Sequence, residues 1–122
     1  MQVVDSCGWI AWLTDDPRAE RYANALTAPR TVLVPTIVLC EVCRWVQREQ
    51  GEPQALRVAA AMQQCEVVVL DAAVALLAAD LGLRHKLAMA DALVYAHAQV
   101  RGVPLLTSDA HFGGLAGVDY QP

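Results

Sequence analysis

The sequence is poor in positive charge. It has nine basic residues against thirteen acidic ones, a net charge of −4, and only one lysine, Lys86. That balance argues against a module that grips nucleic acid through a broad basic patch, because such domains are usually strongly basic. It leaves open a nuclease whose own carboxylates hold a metal. No long hydrophobic run exists either. The longest uncharged stretch is Thr31 to Cys40, and a membrane span needs about 20 apolar residues. Met1-Gln2-Val3-Val4 runs straight into Asp5 with no basic start and no apolar core, so no secretory signal is expected and the chain reads as cytoplasmic. There is no internal repeat, no low-complexity tract and no linker. Cys40-Glu41-Val42-Cys43 has no second cysteine pair to complete a zinc site, since Cys7 and Cys65 stand alone. It reads as two small residues on one helix face.

What is present is apolar material. The 122 residues are 56% hydrophobic, with a mean hydropathy of +0.32. This rules out disorder and suits one domain spanning residues 1–122. Gln2–Asp5 reads as a strand and Ser6–Thr14 as a helix. Asp16-Pro17 is a helix start signal, predicting a helix to about Leu26. Thr31–Val34 reads as a strand. A helix follows from Pro35-Thr36 to Gln50, and another from Glu52-Pro53 to near Gln64. Val67–Leu70 is a continuous apolar run, expected to be a strand buried on both faces. Asp71 caps a helix to about Arg84. Ala88–Arg101 is a helix, Pro104–Thr107 a buried strand, and Val118–Tyr120 a last short strand. The alternation predicts an α/β domain with a central, mostly parallel sheet flanked by helices. In such folds ligands bind beyond the carboxyl ends of the strands.

Four acidic residues stand in apolar company at element ends or starts: Asp5 after Val3-Val4, Glu41 in Leu39-Cys40-Glu41-Val42, Asp91 in Met89-Ala90-Asp91-Ala92, and Asp109 after Leu106-Thr107-Ser108. A carboxylate near a core is costly unless it is paired, neutralised or bound to a cation. The helix after Asp91 travels roughly 15 Å and the following strand returns roughly 17–20 Å, which puts Asp109 beside Asp91. Asp5 and Asp109 both end strands, and in a parallel sheet they emerge at the same edge. Converging carboxylates call for a hard divalent cation with oxygen ligands, and such a site activates water toward a phosphodiester.

Val3-Val4-Asp5-Ser6, Val34-Pro35 with Leu39-Cys40-Glu41-Val42, Lys86-Leu87-Ala88-Met89-Ala90-Asp91-Ala92-Leu93-Val94 and Leu106-Thr107-Ser108-Asp109-Ala110-His111-Phe112 follow one another over the whole chain. In order and spacing the sequence resembles PIN-domain ribonucleases of the VapC type, the toxins of toxin–antitoxin pairs. The resemblance implies a PIN-like fold and a Mg²⁺ or Mn²⁺ site on Asp5, Glu41, Asp91 and Asp109 as catalytic residues. It implies Ser6 or Thr107 orienting a carboxylate or a metal-held water, and hydrolysis of RNA with that water as nucleophile. It further implies a homodimer and a cognate antitoxin protein as partner. The competing reading is a catalytically inactive PIN-fold protein that acts by binding RNA or its partner; the full set of four carboxylates weighs against it.

Other residues are placed by their context. Arg44 and Lys86 are candidates for RNA phosphate contact. His111 reads as a surface residue in a turn, His85 and His97 as helix-surface groups, and Asp80 as exposed. Trp9, Trp12 and Trp45 read as core or interface anchors. A D-x-D phosphatase is excluded because Cys7 stands at the second acidic position. A receiver-type phosphoacceptor is a weaker reading, because Asp5 has no adjacent acidic partner and Lys86 precedes a helix.

Overall fold

Three β-branched or aliphatic residues in a row, twice at the centre of the sheet, dictate its position. The computed structural model describes residues 1–122. Strands β1 (Gln2–Val4), β2 (Val32–Pro35), β3 (Glu66–Val68), β4 (Leu105–Thr107) and β5 (Val118–Tyr120) form one sheet in the order β3-β2-β1-β4-β5. Every pairing is parallel, β5 included. Six helices accompany it: α1 (Ser6–Leu13), α2 (Glu20–Leu26), α3 (Thr36–Gln50), α4 (Glu52–Met62), α5 (Ala72–His85) and α6 (Met89–Arg101). Short 3₁₀ turns occupy Pro29–Thr31 and Ala110–Phe112. All residues of β2 and β4 are buried, as expected of inner strands covered on both faces.

Chain order runs outward from β1 to β2 and β3, then returns to β4 on the other side. The sheet therefore has its topological switch point between β1 and β4. That crevice, at the carboxyl ends of the strands, is where an open α/β sheet receives a ligand.

Several sequence expectations need correction. The helix expected from Asp16-Pro17 begins only at Glu20. The Asp16 carboxylate takes the Arg18 N–H at 2.9 Å. The following N–H groups of Arg21 and Tyr22 bond three residues back, to Arg18 and Ala19, so the segment is a set of tight turns. The strand expected at Val67–Leu70 is Glu66–Val68, and it is not buried on both faces: Val69 is 70% and Leu70 47% exposed. The reason is position, because β3 is an edge strand bonded to β2 alone. His97 is buried, not on the surface. Residues 94–98 of α6 are buried without a break, because this helix is enclosed by α5, α3 and β1 and so has no solvent face along that stretch. Burial holds the His97 imidazole below its usual pKa. His85 is half-buried, edge-on to Tyr95.

Trp9 is in the core, and Trp12 and Trp45 pack partly buried against it. Asp71 caps α5 through the Val74 N–H, and Asp80 is exposed. Gly8 allows α1 to lie close under β1. A Cβ there would stand 2.5 Å from Tyr22 Cε1 and 2.8 Å from Val4 Cγ1. Gly8→Ala is therefore expected to cost about 1–3 kcal/mol through overpacking, read as a lower midpoint in urea unfolding.

Candidate functional site at the switch point

Each acidic residue reaches the crevice for a local reason. Asp5 directly follows β1 and caps α1, its Oδ1 accepting the Ser6 N–H at 2.8 Å. Its N–H donates to the Leu106 carbonyl, which fixes it level with the end of β4. Asp109 follows β4 and caps the 3₁₀ turn, accepting the His111 N–H at 2.9 Å. Asp91 is the third residue of α6, in its first turn, where the helix dipole favours a negative charge. Glu41 is the sixth residue of α3, which opens immediately after β2.

Thr107 ties two of these together. Its hydroxyl donates to Asp5 Oδ2 at 2.8 Å and accepts the Asp109 N–H at 3.0 Å. The side chain is fully buried, so these bonds face no competition from bulk water. Thr107→Val leaves a buried carboxylate oxygen and a backbone N–H without their partner. The expected cost is about 1–3 kcal/mol of stability, measured by denaturant unfolding.

The electrostatics are those of crowded anions. Burial raises the Asp5 pKa, offset by the Thr107 and Ser6 bonds and reinforced by Asp109. Burial raises Glu41, and the charges of Asp5 and Asp91 raise it further, while the Ser6 hydroxyl opposes them. Asp91 is raised by burial, then by Asp109 and Asp5, with His111 opposing. No arginine or lysine relieves this crowding. The chain's Arg–carboxylate pairs are Arg48–Glu49, Arg84–Asp80 and Arg101–Glu66, all elsewhere. Arg44 and Lys86 are exposed and pair with none of the four carboxylates.

Two further groups complete the crevice. The exposed His111 puts Nδ1 3.0 Å from Asp109 Oδ1, and ligand atoms of Asp91, Asp109 and His111 all lie within 4.8 Å of one another. Cys7 sends its thiol to within 3.7 Å of Asp5 Oδ2 and 3.5 Å of Thr107 Oγ1. Its spacing of two from Asp5 across the start of α1 was the available signal. Behind it Tyr22, fully buried, shares a hydrogen bond with Ser108, and burial pushes its phenol up to about 12.

An apolar cavity of about 590 Å³ between α5 and α6 is lined by Leu70, Leu83, Leu87, Met89 and Leu93 among others. It carries no titratable side chain, so polar chemistry belongs to the switch-point crevice instead.

A family model described as the PIN domain matches residues 3–118. The chain belongs to the PIN domain family. No curated protein sequence matches it. Among solved structures, the PIN domain is similar to a toxin–antitoxin complex from Klebsiella pneumoniae at 21% identity and a TM-score of 0.83, covering 98% of this chain and 96% of that one. VapC20 of Mycobacterium tuberculosis, described as a sarcin–ricin loop cleaving toxin, is 23% identical with a TM-score of 0.78 over the full length of both chains. A DNA-bound VapBC from Salmonella typhimurium is 17% identical with a TM-score of 0.72, covering 98% and 96%. At these identities the likeness establishes the shared PIN fold. No helix of the chain is long and apolar enough to cross a membrane.

Proposed function

We propose that this PIN domain is a divalent-metal-dependent endoribonuclease of the VapC type, the toxin of a toxin–antitoxin pair. The observation that carries the reading is the convergence of Asp5, Glu41, Asp91 and Asp109 on the switch-point crevice with no arginine or lysine to neutralise them. An all-carboxylate oxygen set with uncompensated charge fits Mg²⁺ or Mn²⁺. Asp5, Asp91 and Asp109, with Glu41, would hold the ion. When bound, it supplies Lewis-acid activation of water and neutralises charge at the phosphodiester.

The protein's own groups prepare that chemistry. Thr107 and the Ser6 N–H hold the two oxygens of Asp5 in fixed directions. Thr107 also sets the backbone from which Asp109 projects. This is preorganisation: the carboxylates need little rearrangement when RNA arrives. Arg44 and Lys86, free of ion pairs, are assigned to RNA phosphates. The partners of this reading are an RNA substrate, a cognate antitoxin and a second copy of the chain. The solved relatives described as toxin–antitoxin and VapBC complexes support it.

Induced expression in a bacterial host tests the toxin assignment. The wild-type chain is expected to arrest growth and fragment RNA, and Asp109→Asn at equal protein level to do neither. Equal growth and intact RNA in both cultures would remove the toxin reading.

A further inference from the structure

We propose that His111 is a nitrogen donor to this carboxylate cluster and biases it toward first-row transition ions, Mn²⁺ among them, over Mg²⁺. The inference rests on the cation reading above and goes beyond it by naming a donor that the four-carboxylate pattern does not include.

The side chain is 76% exposed, yet its backbone is held firmly. The neighbouring Phe112 is fully buried and sits edge-on to Tyr95 with ring centres 6.2 Å apart. Tyr95 belongs to α6, the helix that carries Asp91. The 3₁₀ turn is thus anchored to the element whose carboxylate it faces. The His111 N–H bonds Asp109 Oδ1 at 2.9 Å, which holds the residue beside Asp109.

The spacing suits shared ligation. Nδ1 lies 3.0 Å from Asp109 Oδ1. Two adjacent ligands of an octahedral ion with bonds of about 2.1 Å stand roughly 3.0 Å apart. The third donor, on Asp91, is within 4.8 Å of both. Apart from Asp109, the ring has no protein partner.

The donor type decides the preference. Mg²⁺ is hard, gives up water reluctantly and takes oxygen ligands. An imidazole adds little to its affinity. First-row transition ions accept imidazole nitrogen, and their affinity for a mixed N/O site rises from Mn²⁺ through Co²⁺. Removing His111 should then weaken the transition ions and spare Mg²⁺.

The test is calorimetric titration of Mg²⁺, Mn²⁺ and Co²⁺ into the untagged full chain and into His111→Ala. Pulsed electron paramagnetic resonance of the Mn²⁺-loaded proteins provides a second readout. Circular dichroism of the variant accompanies the titration to establish that its fold is kept. The expected result is a loss on the order of tenfold for Mn²⁺ and Co²⁺ with Mg²⁺ unchanged. A ¹⁴N coupling to Mn²⁺ should be present in the wild-type chain and absent in the variant. Equal losses for all three ions, or no ¹⁴N coupling in a wild-type chain that binds Mn²⁺, overturns His111 as a donor and leaves the carboxylate site standing. A wild-type chain that binds none of the ions overturns both this inference and the cation reading.

Discussion

Asp91→Asn is expected to lower RNA cleavage by about three orders of magnitude and, in the same preparation, to raise the thermal midpoint of the metal-free chain. The first effect follows from losing a carboxylate that holds the ion. Metal-ion stabilisation of a transition state is worth several kcal/mol, and each 1.36 kcal/mol is about tenfold in rate. The second effect follows from crowding. Burial and the charges of Asp109 and Asp5 raise the Asp91 pKa in the folded chain, so its ionised form is less favourable there than in the unfolded chain. An amide of the same shape removes that repulsion. Loss of activity with gain of stability separates a functional carboxylate from a structural one, since a structural carboxylate would lose both. Single-turnover cleavage and differential scanning calorimetry on one sample read the two effects together.

Divalent cation should reverse that ordering of stabilities. An ion that binds only the folded chain stabilises it by about 2.7 kcal/mol at a hundred times its dissociation constant. For a domain of this size that is a rise of roughly 10 °C. Mn²⁺ is expected to produce this rise in the wild-type chain and much less in Asp91→Asn. Acid should relieve the metal-free wild-type chain instead. The folded pKa values of Asp5, Glu41 and Asp91 are raised. Above them the folded state carries the full repulsion. As the pH falls from there toward the ordinary carboxylate range near 4, the folded chain takes up protons first and this penalty disappears. The ion competes with those protons, so the Mn²⁺-dependent shift should shrink over the same range. Thermal unfolding with and without Mn²⁺ at a series of pH values measures both slopes.

How far the sequence carries this account depends on the kind of signal each residue gives. The inner strands are legible because Val32–Val34 and Leu105-Leu106 are solidly apolar and sit between helices with clear stops, such as Gly51 and Gly102. The approach of Asp109 to Asp91 follows from counting the rise of a helix against that of a strand. Solid apolarity misleads at Val67–Leu70, because edge and centre strands differ by their neighbours in the sheet and not by their own composition. The Asp16-Pro17 signal misleads because the side chain that would cap a helix instead closes a turn on Arg18. His97 is illegible for a related reason: a histidine among alanines looks exposed until the packing of α6 between α3, α5 and β1 is known. At the site, Cys7 and His111 each sit two residues from an aspartate. Nothing in that spacing tells which face of a short turn they take, and only the folded backbone sets it.

The most direct test of the central claim is cleavage of end-labelled RNA by the purified wild-type chain and by Asp5→Asn, each in EDTA and in Mn²⁺, with RNA binding measured in the same samples. The account predicts cleavage by the wild-type chain in Mn²⁺ alone, none by Asp5→Asn, and RNA bound by both. Cleavage that persists in EDTA, or that is equal in the two proteins, would contradict it.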